Sequence, residues 1–153
     1  PGTGRWLYAS WLQWEQLADP ERAAMLEDVK RIIRIRRQHN DLIHPYRVGQ
    51  SELSLCPVLC QASATAPVPY LYHGNGVALL VAGNPQRDQP LTLQFELPLD
   101  QLGLADDQPL TVTDLWNEGA PHHLTAGQMR DRPYTLKPDG QPGGGLLVLK
   151  FTR

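Results

Sequence analysis

Apolar positions along the chain change period near residue 45, from the spacing of helices to that of strands. Met25, Val29, Ile32, Ile33 and Arg36 fall at i, i+4, i+7, i+8 and i+11, the stripe of an amphipathic helix that Leu26 and Ile35 widen. Asp19 can accept from free first-turn amides, Pro20 suits the first helical position, and Glu21 complements the positive end of the dipole. The spacing predicts a helix from Pro20 to about His39, ending before Pro45 because proline biases His44 away from helical dihedrals. Glu27, Lys30, Arg31, Arg34 and Arg37 occupy the other face, a solvated or docking face rather than a nucleic-acid patch, since acidic residues lie a turn away.

Upstream, residues 5–17 are aromatic-rich. Leu7, Trp11 and Trp14 lie at i, i+4 and i+7 of a further short helix, beside Trp6 and Tyr8. Such indoles either pack on a core or docking surface, or stand exposed to stack on sugar rings.

Beyond Tyr46 helical periodicity does not return. Tyr70-Leu71-Tyr72 and Val77-Ala78-Leu79-Leu80-Val81 flank His73-Gly74-Asn75-Gly76, whose Asn and Gly tolerate the positive φ of a tight hairpin. The second run is apolar on both faces and stops at Gly83-Asn84-Pro85, so it predicts a central strand covered on both sides. Leu91 to Leu97 alternates strictly, as a strand with one wet face does. Residues 98–109 form a connection around a single helical turn. Leu110 to Trp116, Tyr134 to Leu136 and Leu146 to Phe151 complete the strands. Short strands with frequent turn signals predict an antiparallel β-sandwich of Greek-key type over residues 46–153, with about six to eight strands. Residues 1–45 form a helical segment before it.

Composition narrows the classes. The chain has 153 residues, 41% hydrophobic and 20% charged, as ordinary globular domains do, so disorder is not expected. A formal net charge of −2 attracts neither nucleic acid nor an anionic membrane, and no apolar run reaches the ~20 residues of a membrane span. The opening Pro1-Gly2-Thr3-Gly4 carries no signal peptide and reads as an interior cut from a longer parent. Cys56 and Cys60 would lie roughly 13 Å apart on one extended strand, too far for a disulfide. Two buried reduced thiols are expected, which favours a reducing compartment such as the cytoplasm.

Candidate chemistry is sparse. His122 and His123 would point to opposite faces of a strand, so one metal ion would not take both. Asp106, Asp107, Asp114 and Glu118 are carboxylates at turns or strand ends, where solvation and turn geometry already account for them. Gly143-Gly144-Gly145 precedes a strand, not a helix, and makes no phosphate cradle. No enzymatic motif, metal site or cofactor is expected.

The order of parts nevertheless resembles something specific. A helix ending Arg36-Arg37-Gln38-His39-Asn40-Asp41-Leu42-Ile43 precedes the strand Gly76 to Pro85, then Val112-Thr113-Asp114-Leu115-Trp116-Asn117-Glu118-Gly119, then the apolar strand Gly145 to Phe151. Over residues 20–153 this resembles the last barrel helix and C-terminal β-sandwich of α-amylase-family glycoside hydrolases. The resemblance implies an accessory domain whose partner is the catalytic barrel of the parent chain. That family's acidic catalytic motifs match no position here, so no catalytic residue is carried over. A carbohydrate-binding role would rest on Trp6, Trp11, Trp14 and Trp116 and would make an oligo- or polysaccharide the ligand. A free-standing interaction module is the third class. Whichever holds, the stripe Met25, Val29, Ile32 and Ile33 is expected to be covered. The short connection after Ile43 favours cover by the chain's own sandwich over a second copy of the chain.

Overall fold

The computed structural model describes residues 14–43, 55–57, 59–60, 68–138 and 144–153. A 3-10 turn, Trp14–Ala18, leads into α1, Pro20–Gln38, and the one-turn helix α2, Asn40–Ile43. Asp19 caps α1 by accepting from the Glu21 amide, with proline next in the first turn. His39 ends the helix in a non-helical conformation while its N–H still donates to the Ile35 carbonyl. Both ends lie where caps and periodicity place them. The expected helix around Leu7 and Trp11 falls outside the described residues, apart from the 3-10 turn at Trp14.

The strands are β1 Leu55–Pro57, β2 Leu59–Cys60, β3 Tyr70–Gly74, β4 Val77–Gly83, β5 Leu91–Leu93, β6 Phe95–Glu96, β7 Pro109–Asp114, β8 His122–Thr125, β9 Tyr134–Leu136 and β10 Leu146–Thr152. Only residue 58 separates β1 from β2 and only Gln94 separates β5 from β6, so these segments amount to eight strands. All pairings are antiparallel. One sheet has six strands in the order β1-β3-β4-β10-β7-β8. The ladders β2–β6 and β5–β9 make a smaller second layer. The fold is thus mainly β and sandwich-like, with a helix before it. Cys56 lies on β1 and Cys60 on β2; their side chains are outside the described residues.

Between β3 and β4 the loop is only Asn75-Gly76, with φ of 51° and 77°, the mirror-image turn whose twist matches that of paired strands. The hairpin is the one the sequence predicts. β4 is covered on both faces, as expected. Ala78, Leu80 and Ala82 join Leu91, Leu93, Phe95 and Leu97 in the core between the sheets. Leu79, with Val77 and Val81, belongs to a second cluster on the other side. β10 alternates likewise, with Leu147, Leu149 and Phe151 inward and Val148 outward. The run 91–97 alternates buried and exposed at every residue.

Two short helices interrupt the strands. α3, Leu99–Leu102, is the expected single turn and ends at Gly103 in the left-handed conformation. α4, Ala126–Asp131, was not expected. Thr125 and Gln128 form a reciprocal capping box at its start, and Ala126 and Met129 are fully buried. Both lie in connections between antiparallel strands.

α1 lies on the outer face of the large sheet, giving three layers. Of the predicted face it buries only the edge at Ile35. Ile35 and Leu42 are buried with Leu79, Trp116 and Val148, and Arg31 lies half-buried on the same side. The stripe expected to cover itself on the sandwich faces solvent instead. Met25 is 68% exposed, Val29 41%, Ile32 44% and Ile33 50%. The reason is the partner that the sheet offers. A tryptophan ring and its carbonyl at the end of β7 accept a long cationic side chain, so the helix turns an arginine and Ile35 inward.

Candidate functional site

The segment after β7 is where the helix is fastened. Asp114 Oδ1 accepts from the amides of Trp116 and Asn117, both at 3.0 Å, and Oδ2 accepts from Asn117 Nδ2 at 2.7 Å. The Gly119 amide then donates to the Asp114 carbonyl. Aspartate stabilises such a turn because its side chain reaches the backbone two and three residues on. Glu118 has positive φ within the turn. The result points the Trp116 ring under α1, where it is 1% exposed.

Arg31 lies across that ring with its guanidinium carbon 5.1 Å from the centroid, and Nη1 donates to the Trp116 carbonyl at 2.9 Å. Arg34 pairs with Glu118 at 2.6 Å. The basic face of the helix is therefore partly a docking face. Trp116 cannot serve as a platform for sugar stacking, because its ring is closed off by the helix and the sheet. Trp6 and Trp11 lie outside the described residues, as does the side chain of Trp14.

The remaining candidates have structural roles. Asp106 accepts from Arg130 Nη1 at 2.9 Å, and Arg130 Nε donates to Asp131 at 3.0 Å. The bonds to Asp131 and Asp106 raise the guanidinium's affinity for its proton. The Gly127 amide donates to the Asp106 carbonyl, and a Cβ at Gly127 would lie 3.2 Å from that oxygen. Asp106 thus seats α4. His122 and His123 are both exposed on β8, with His123 Nδ1 3.4 Å from Thr111 Oγ1. Among the described residues no three His, Cys, Asp or Glu side chains cluster as metal ligands would. Nor is any described helix long and apolar enough to cross a membrane.

A crevice of about 320 Å³ lies between the β3–β4 hairpin and α3. His73, Asn75, Asp100 and Arg153 give it a rim of both charges, over Leu104 and Phe151. The Arg153 side chain crosses it close to the hairpin; a Cβ on Gly76 would sit 3.2 Å from its Nε.

Two further features escape a reading of motifs. Asn84 is 2% exposed and joins three chain segments, its own loop, the end of β9 and the start of β10. Its Nδ2 donates to the carbonyls of Gln89 at 2.9 Å and Lys137 at 3.0 Å, with that of Leu136 at 3.4 Å, and its Oδ1 accepts from the Gln86 amide. Its backbone N–H donates to Gly145. The Gly-Asn-Pro punctuation was the available signal, although it shows a stop and not a hub. Tyr134, in contact with Phe95, has a buried hydroxyl without a hydrogen-bond partner, and burial raises its pKa.

The notable surface is consequently the outward flank of α1. Met25, Val29, Ile32 and Ile33 account for four of the six large hydrophobic side chains exposed among the described residues. Such concentration on one helix flank marks an interaction surface, whereas single exposed apolar residues do not. In comparison with known proteins, no family model matches the chain and no curated protein matches it.

Proposed function

We propose that this chain is the non-catalytic C-terminal accessory domain of a carbohydrate-active enzyme, a hydrolase or transglycosylase acting on α-glucans or α-glucosides, and that it steadies the catalytic barrel. The supporting observation is the double-sided helix. The four segments that carry the resemblance, α1–α2, β4, residues 112–119 and β10, pack on one another around Ile35, Leu79, Trp116 and Val148. They leave the opposite flank of α1 apolar and bare. A helix anchored on a sandwich by one face, with a second apolar face outward, is built to join two bodies. The sandwich holds the helix in place, and the outward flank meets the barrel.

The chain alone should give only background rates on starch, maltooligosaccharides, sucrose and chromogenic glycosides. Turnover abolished by a single Asp or Glu substitution would overturn this reading. In the parent gene, the sequence before Pro1 should encode a barrel with acidic residues at the ends of its strands; any other kind of domain there would overturn it too.

A further inference from the structure

We propose that the 153-residue chain, on its own, forms a two-fold dimer in which the α1 flanks of two copies cross antiparallel about Val29. This rests on the docking role given to that flank and names the occupant that fits it when no barrel covers it.

The argument is the charge order along one ridge. Glu21, Met25, Val29, Ile33 and Arg37 are spaced four apart, forming one of the i±4 rows that interdigitate in the commonest class of helix packing. The row reads acid, apolar, apolar, apolar, base. Turned about an axis through Val29, it is its own complement: Val29 meets Val29, Met25 meets Ile33, and Glu21 meets Arg37. Both charged residues lie eight positions from the axis, about 12 Å along the helix, so the two-fold sets each beside its opposite at the same level of the pair. Both are exposed, and neither side chain has a partner among the described residues. A two-fold interface requires this kind of self-complementarity.

Shape agrees with charge. Lys30, Ile33, Arg34, Arg37 and Gln38 border a shallow depression on the helix surface. The residue that the same axis brings over it is Met25, the most exposed large hydrophobic side chain described. Most other cations of the helix are engaged elsewhere: Arg22 with Asp19, Lys30 with Glu27, Arg31 with Trp116 and Arg34 with Glu118; Arg36 is exposed but lies off the Glu21–Arg37 row. One helix flank is less than the ~800 Å² per partner of a standard interface, so the dimer is a weak, reversible one.

Sedimentation equilibrium over a concentration series tests it. The native chain should pass reversibly from monomer to dimer. Arg37→Glu or Glu21→Arg alone should weaken association about tenfold, because each sets two like-charged pairs at the two-fold related ends. The double variant should recover native affinity. The Arg37→Glu chain mixed with the Glu21→Arg chain should pair more tightly than either does with itself. Circular dichroism of each variant verifies its fold, and Val29→Lys and Ile33→Asp, both at exposed sites, each place a charge in the crossing and should abolish the dimer. A native chain that stays monomeric throughout overturns the proposal, as does a dimer indifferent to Val29→Lys and Ile33→Asp or one that the double variant fails to restore. Monomers without glycosidase activity would leave the accessory-domain reading standing. An active dimer would remove that reading and keep this one.

Discussion

Removing the side-chain amide of Asn84 should loosen the sandwich at one end. In Asn84→Ala two short donated bonds, to Gln89 and Lys137, disappear together with the bond accepted from Gln86. A buried polar group left without a partner costs about 1–3 kcal/mol. Gln86 and Gln89 are close enough to solvent for water to replace part of the loss, whereas the Leu136 end is buried. The expected destabilisation is about 2–4 kcal/mol, which corresponds to a fall of roughly 1–2 M in the urea midpoint for a domain of this size. Asn84→Asp separates the parts of this account. It keeps an acceptor for the Gln86 amide but turns a carboxylate oxygen toward carbonyl oxygens in a nearly solvent-free site. At neutral pH it should be less stable than Asn84→Ala. Its carboxyl should titrate above the usual carboxylate range in the folded state, so its deficit should shrink as pH falls through that raised value toward the ordinary value of about 4. Urea denaturation of the three proteins at pH 7 and pH 5 provides the measurement. A loss below about 1 kcal/mol for Asn84→Ala, or an Asp variant matching the Ala variant at both pH values, would refute the hub.

Two other predictions concern α1. Ile35→Ala should cost about 2–4 kcal/mol and Ile33→Ala less than about 1 kcal/mol, measured by denaturation at low concentration, because Ile35 is 7% exposed and Ile33 50%. Equal losses would mean that the helix face has been misassigned. His39 has a pKa lowered first by burial and then by Lys150, with Asp41 opposing. The unfolded chain therefore takes up the proton first, and stability should fall as pH drops through the ordinary imidazole value near 6.5 until the folded value is passed. In His39→Gln that component of the pH dependence should vanish; an unchanged profile would exclude it.

What the sequence made legible was mainly local. The Asp19-Pro20 start of α1, the Asn75-Gly76 turn and the alternation of 91–97 are each specified by residues close together in the chain. The double cover of β4 was readable because its neighbours in sequence leave no polar face. The orientation of α1 was not readable. Apolar content alone favours the flank of Met25, Val29, Ile32 and Ile33, and the opposite choice goes with Trp116, which lies 85 residues beyond Arg31. The same distance hid the fate of Trp116 itself: an aromatic residue after a strand is compatible with a sugar platform until the Asp114 turn and Arg31 close over it. The short helix α4 was missed although Thr125-x-x-Gln128 spells a capping box, because only two of its apolar positions reach the core. Asn84 and the ridge from Glu21 to Arg37 required the fold to show their surroundings.

The placement of β10 has a consequence for how the chain acquires its structure. It sits between β4 and β7, so the hairpin side and the β7–β8 side of the large sheet share no ladder without it. Leu146–Thr152 is synthesised after every strand that it joins. Until it docks, Leu80 and Val112 lie on separate half-sheets whose edges are open. Its partners on β4 are 63 to 75 residues earlier, a long-range closure of the kind that slows folding relative to locally connected folds. The sheet's cooperativity is therefore concentrated in its final strand. A newly made chain would hold the hairpin and α1 as loosely associated pieces before that strand arrives, and this interval is when its unpaired edges are most exposed to other chains.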